Sequence, residues 1–127
     1  MTDKHVKRFY IDGSGEGPDG KGSGWAWVYV DRDKQQIERI DGLTSNEAEY
    51  RALIGVLLYV SRGSSVLIFT DSALVANQFN GKFRVQEPRL KRLLDEVREL
   101  VKERELDVEV KWIPRTENLA GKLLDRM

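Results

Sequence analysis

The chain reads as an α/β domain built on a five-stranded mixed sheet with helices on both faces. Three observations predict it. Up to residue 40 the apolar residues fall in short β-prone runs joined by Gly- and Asp-rich connections. From residue 45 the period becomes helical, with Leu53, Val56, Leu57 and Val60 at i, i+3, i+4 and i+7. Beyond that segment, strand-like runs at 66–70 and 107–113 alternate with helical ones. A meander followed by such an alternation closes into one mixed sheet.

Residues 4–12 (KHVKRFYID) form the first predicted strand, with Val6, Phe9 and Ile11 apolar. A Gly-rich connection covers 13–24. Residues 25–30 (WAWVYV) are strongly β-prone, and 36–40 complete the meander. Thr44-x-x-Glu47 is a capping box, and it opens a helix of roughly four turns over 45–62 that Gly63 stops. The run 66–70 (VLIFT) is almost continuously apolar, as expected of a strand covered on both faces. A short helix follows at 72–79. Pro88 suits the first turn of a long amphipathic helix carrying Leu90, Leu93, Leu94, Val97, Leu100 and Val101 on one side. Residues 107–113 alternate as a strand, Pro114 breaks it, and a final short helix starts near Asn118. The order is β-β-β-α-β-α-α-β-α. No linker, repeat or low-complexity stretch interrupts it, so residues 1–127 are expected to form one domain. The first and fourth strands become parallel neighbours. Their carboxyl ends flank the point where strand order reverses, and open α/β sheets bind ligands there.

Composition narrows the chemistry. With 40% apolar and 33% charged residues in 127, the chain has the balance of a soluble domain. It has no cysteine, which removes disulfides, thiolate metal sites and thiol nucleophiles. No apolar run approaches membrane-spanning length, and no apolar leader precedes the first strand, so a cytoplasmic protein with no membrane contact, acting as a monomer, is expected. The 21 basic and 21 acidic residues cancel, so any nucleic-acid binding must come from local patches.

Three acids stand out: Asp12 in RFYIDGSG, Glu49 in TSNEAEYRAL and Asp71 in VLIFTDSALV. The two aspartates close β-branched runs and are expected as terminal residues of the two parallel strands. Each has an ordinary explanation, Asp12-Gly13 as a turn and Asp71-Ser72 as a helix cap. Glu49 discriminates. It precedes Leu53 by one turn and so shares the buried stripe, where an unpaired carboxylate is costly, whereas Glu47 is accounted for by the capping box. Three converging carboxylates point to a divalent cation. Two other patterns carry less. Gly15-x-Gly17-x-x-Gly20 spells a dinucleotide fingerprint but precedes a strand, and the mechanism needs a helix N-terminus. His5 is the one histidine, so a zinc site or a Ser-His-Asp triad is improbable. The basic cluster Lys82, Arg84, Arg89, Lys91 and Arg92 is interspersed with Glu87 and Asp95; it reads as a solvated helix face, with phosphate contact as the alternative.

Taken together, the IDGSG start, the Gly-rich loop, GWAWV, TSNEAEYRALI, FTDS, NQFNGKFRV and WIPRTEN resemble the ribonuclease H type 1 family over nearly the whole chain. The resemblance implies a ribonuclease H-like fold and an endoribonuclease that hydrolyses the RNA strand of RNA–DNA hybrids. It also implies two Mg2+ ions (Mn2+ can substitute), and 5′-phosphate and 3′-hydroxyl products. Of the family's four acidic positions, three fall on Asp12, Glu49 and Asp71. The fourth, four residues after Asn118, is Lys122 here. Asp125 lies on the same stripe, about 4.5 Å further along the axis, and is the alternative ligand. By resemblance, the Gly13 and Ser14 backbone and the Asn46 side chain read the strand to be cut. Thr44 would contact a DNA phosphate, and Asn77, Asn118 and Arg115 complete the substrate-binding set, Arg115 standing where the family often has histidine. The resemblance is to the short form of the family, so neither the basic protrusion nor the hybrid-binding domain of some members is expected. The lost fourth carboxylate leaves a second reading, a ribonuclease H-like nucleic-acid-binding domain with weak or no nuclease activity. A resolvase or exonuclease of the same superfold is a third.

Overall fold

The computed structural model describes residues 5–19 and 21–126; Lys4 of the first predicted strand and Gly20 of the glycine pattern lie outside them. The five strands are β1 (Val6–Ser14), β2 (Gly24–Tyr29), β3 (Lys34–Arg39), β4 (Ser65–Thr70) and β5 (Asp107–Trp112), in the order β3-β2-β1-β4-β5. β1–β2 and β2–β3 pair antiparallel, while β1–β4 and β4–β5 pair parallel. The helices are α1 (Ser45–Tyr59), α2 (Ala73–Phe79), α3 (Pro88–Glu103) and α4 (Leu119–Asp125). No helix among the described residues is long and apolar enough to cross a membrane.

Strand alternation divides the core. Phe9 and Ile11 of β1, with Trp25, Trp27 and Tyr29 of β2, face α1 and α3. Their even-numbered neighbours Tyr10, Ala26 and Val28 face Ala120, Leu123 and Leu124 of α4. Both faces of the sheet are therefore covered, as the sequence predicts. α1 is buried more broadly than its predicted stripe, because it packs on the sheet with one side and on α3 with another.

Several boundaries differ from expectation, two of them near the carboxylates. β1 continues to Ser14, pairing Asp12 with Ala26 and Gly13 with Trp25, so Asp12 lies inside the strand and not at its end. Asp71 is one residue past β4. α1 stops at Tyr59, short of the predicted 62, because Val60 is already extended. Gly63 serves the next turn with φ 80° rather than ending the helix. At the other end of α1 the capping box forms: Glu47 N donates to Thr44 Oγ1 at 3.2 Å and Thr44 N donates to Glu47 Oε1 at 3.1 Å. Pro88 does open α3, capped by the Glu87 carboxylate.

Candidate metal centre

The parallel register places Tyr10 opposite Phe69. Carried two residues further, it sets Asp71 beside Asp12. By strand parity Asp12 points to the α4 face, whereas Glu49 comes from α1 on the other face. Gly13 allows them to meet: a Cβ there would lie 2.3 Å from Glu49 N and 2.4 Å from the Ala48 carbonyl carbon. The first turns of α1 thus rest directly on bare strand backbone. As a result, one carboxylate oxygen each from Asp12, Glu49 and Asp71 lies within 4.8 Å of the others.

Burial makes that proximity consequential. Asp12 and Glu49 are 2% and 3% exposed. Burial, then the charge of Asp71, pushes the Asp12 carboxyl up to about 7, against the pull of Arg115 and the Gly13 N–H. Burial, then the charge of Asp12, holds Glu49 well above the ordinary carboxylate range. Glu49 Oε1 accepts from Thr70 Oγ1 at 2.7 Å, but Glu49 Oε2 is buried with no hydrogen-bond partner. Carboxylates this close stay ionised together only if a cation joins them. The donor set is hard oxygen, which suits Mg2+ or Mn2+, and the three acids, with the orphaned Glu49 oxygen among their atoms, could hold such an ion.

The supporting contacts converge on Asp71. Asn118 is fully buried; its Nδ2 donates to Asp71 Oδ2 at 3.0 Å and to the Ile11 carbonyl at 2.9 Å. Its Oδ1 caps α4 by accepting from Ala120 N at 3.0 Å. Trp112 Nε1 donates to the Asp71 carbonyl at 3.1 Å. Arg115 lies between two acids, 3.7 Å from Asp71 Oδ2 and 3.7 Å from Asp125 Oδ1. We expect Asn118→Ala to weaken metal affinity by roughly 10–100-fold, the usual cost of losing a group that orients a ligand. Removing the cap should also cost about 1 kcal/mol of stability. Calorimetric Mn2+ titration and thermal unfolding check the two parts, and unchanged affinity would detach Asn118 from the site.

The other candidates separate into groups. A recess of about 230 Å³ in front of the acids is lined by Gly13, Asn46 and Arg115, together with Ser45 and Ser72. Ser14 ends β1, and Thr44 is committed to capping α1. Asn77 turns back on its own helix, donating to the Ala73 carbonyl at 2.7 Å. Lys122 is exposed, with no ion pair among the described residues. Asp125 is 69% exposed and meets Arg115, not the carboxylate group. The roles of Thr70 and of Asn118 as anchor were missed in the sequence. An Asn just before a short apolar helix is a capping signal, but nothing in FTDS marks Thr70 as the partner of Glu49.

Comparison with known proteins gives this geometry a family. The family model described as reverse transcriptase-like matches residues 15–125. The RNase H1 of the halophilic archaeon Halobacterium salinarum superimposes with a TM-score of 0.79 at 27% identity, over 94% of each chain. LC11-RNase H1, isolated from compost, gives 0.80 at 28% identity over 94% of this chain and 91% of that one. The same LC11 enzyme in complex with an RNA/DNA hybrid gives 0.79 at 27% identity, over 93% and 92%.

The chain belongs to the ribonuclease H type 1 family.

Its ribonuclease H fold is complete in the described residues, with five strands and four helices. A possible acidic metal site stands at the carboxyl end of the parallel pair.

Proposed function

We propose that the protein is a divalent-metal-dependent endoribonuclease that cleaves the RNA strand of RNA–DNA hybrids, within one domain spanning residues 1–127. The observation that carries it is the convergence of Asp12, Glu49 and Asp71, with Glu49 Oε2 buried and unpartnered. A hybrid-bound relative of the same fold supports the substrate class. Two bound ions, Mg2+ by preference, would supply an activated water and stabilise the leaving 3′ oxygen, giving 5′-phosphate and 3′-hydroxyl ends. Asp12, Glu49 and Asp71 would hold the ions. Thr70 holds Glu49, while Asn118 and Trp112 hold Asp71, so neither acid must reorganise when substrate arrives. The Gly13 and Ser14 backbone and the Asn46 side chain would read 2′-hydroxyls, which separate RNA from DNA; Gly13 and Asn46 line the recess at the acids. Incubation with a labelled hybrid, with and without Mg2+ or Mn2+, tests the reading. Cleavage of duplex DNA alone, or of nothing, would overturn it.

A second reading rests on α4. With Lys122 exposed and Asp125 engaged by Arg115, no fourth carboxylate among the described residues joins the group. The protein would then bind hybrids and cut them slowly. Binding without turnover at saturating Mn2+ marks this outcome.

Substrate phosphates have candidate contacts beyond the acids. Lys82, Arg84, Lys91 and Arg98 line a groove of about 650 Å³ around Phe83, which is 49% exposed. Arg89 is on a separate groove with Arg51 and Arg92. Replacing Lys82, Arg84 and Arg89 with alanine should raise KM several-fold with little change in kcat. Each lost phosphate contact should also reduce the log–log salt slope by about 0.9. An unchanged KM returns these residues to a solvated surface.

A further inference from the structure

A further cavity opens at the other end of β1 from the acids. Lys7, on its rim, precedes Asp12 by about 17 Å of strand at roughly 3.4 Å per residue. The cavity measures about 370 Å³ and is lined by Lys7, Tyr29, Arg32, Lys34, Tyr59 and Ser61. That volume is in the range of small-molecule clefts, about 300–1,000 Å³.

Its charges are unbalanced. Lys7 is half-buried, and its ammonium donates to Ser61 Oγ at 3.2 Å and Ser64 Oγ at 2.9 Å, neutral partners both. Among the described residues no carboxylate meets Lys7, Arg32 or Lys34. The neighbouring Asp31 is taken by Arg8 at 2.6 Å and faces His5 at 3.8 Å. Asp33 stands in a left-handed turn, φ 51°, and is not part of the lining.

A second, independent feature lies in the floor. Tyr29 is 4% exposed and stacks on Phe9 with ring centroids 4.4 Å apart. Its hydroxyl takes no hydrogen bond from the described residues and is not sealed from solvent, so it is open to the cavity. Tyr59 stands edge-on beside it, 6.2 Å between centroids, and is 47% exposed. The cavity thus presents three cations, two phenols and a serine hydroxyl, with no competing acid in its lining. Cations and hydroxyl donors gathered in this way suit a phosphate group, and an exposed tyrosine ring suits a stacked base.

We infer that this cavity binds a phosphate group, free or carried by a mononucleotide, independently of the carboxylate centre. The test is amide chemical-shift mapping of the full chain in chelator, titrated with inorganic phosphate and with adenosine monophosphate. Chloride at matched ionic strength is the control. Saturable shifts at Lys7, Tyr29 and Ser61 are expected, with the mononucleotide bound more tightly. Equal affinity would identify inorganic phosphate as the ligand and still uphold the site. Arg32→Ala and Lys34→Ala, both at surface positions, should each weaken binding roughly tenfold, the loss of one charge-assisted contact. A chloride response of equal size, shifts centred on Asp71 and Arg115, or no saturation would overturn the inference. Because the readout is metal-free binding, none of these results bears on the nuclease reading.

Discussion

Asp12→Asn is expected to lower hybrid cleavage by more than about 100-fold while leaving the fold intact. Groups that merely orient a metal ligand already cost roughly 10–100-fold when lost, and Asp12 is one of the three acids that would hold the ion itself. The same substitution should stabilise the metal-free protein near pH 8. Asp12 is held at about 7 against an ordinary 3.8, and Glu49 is raised as well. Between the unfolded and folded values the native state binds more protons than the unfolded chain. Stability in chelator therefore falls as pH rises from about 4 through about 7, and that loss is complete above the folded value. For Asp12 the penalty is on the order of 4 kcal/mol at most. Thermal unfolding of parent and variant in chelator, from pH 4 to pH 9, checks the sign. Added Mg2+ should recover the parent's loss at high pH and do little for the variant. A variant that cuts as fast as the parent would sink the site assignment.

The second large effect concerns Lys122. Gly121 precedes it, and a Cβ on Gly121 would lie 3.2 Å from Asp12 Oδ2. The first turn of α4 therefore passes against the acids, and residue 122 follows at once. The lysine there is exposed and has no ion pair among the described residues, so it supplies no ligand and adds a positive neighbour. Lys122→Asp should raise the cleavage rate at low Mg2+ by roughly tenfold or more, as one recovered ligand implies. Asp125→Ala should change it by less than about threefold, because that carboxylate is spent on Arg115. Rates measured across a Mg2+ series for both variants decide. Loss of activity in Asp125→Ala, with no gain in Lys122→Asp, would make Asp125 the fourth ligand.

The fold was readable because its signals were periodic. The switch from short β-prone runs to the Leu53–Val56–Leu57–Val60 spacing announced α1, and Thr44 and Pro88 marked where helices begin. Boundaries were less legible where tertiary contact decided them. The β1–β2 ladder runs on through Gly13 to Ser14, since α1 sits on that backbone and the strand has no reason to turn at Asp12. The three acids could be proposed from sequence because a buried carboxylate conflicts with its surroundings. Their partners could not. Thr70 and Trp112 are ordinary residues whose roles come from register and loop geometry, and Arg115, named from the resemblance as a substrate contact, also pairs with Asp71.

Asn118 has a consequence for motion. One amide group joins the start of α4, the β1 backbone and the Asp71 carboxylate. Whatever loosens the seven-residue α4 also loosens Asp71. Cation occupancy and docking of the C-terminal helix are then reciprocal, each favouring the other by the same coupling free energy. Amide hydrogen exchange would report it: Ala120 and Gly121 should open less often in saturating Mn2+ than in chelator.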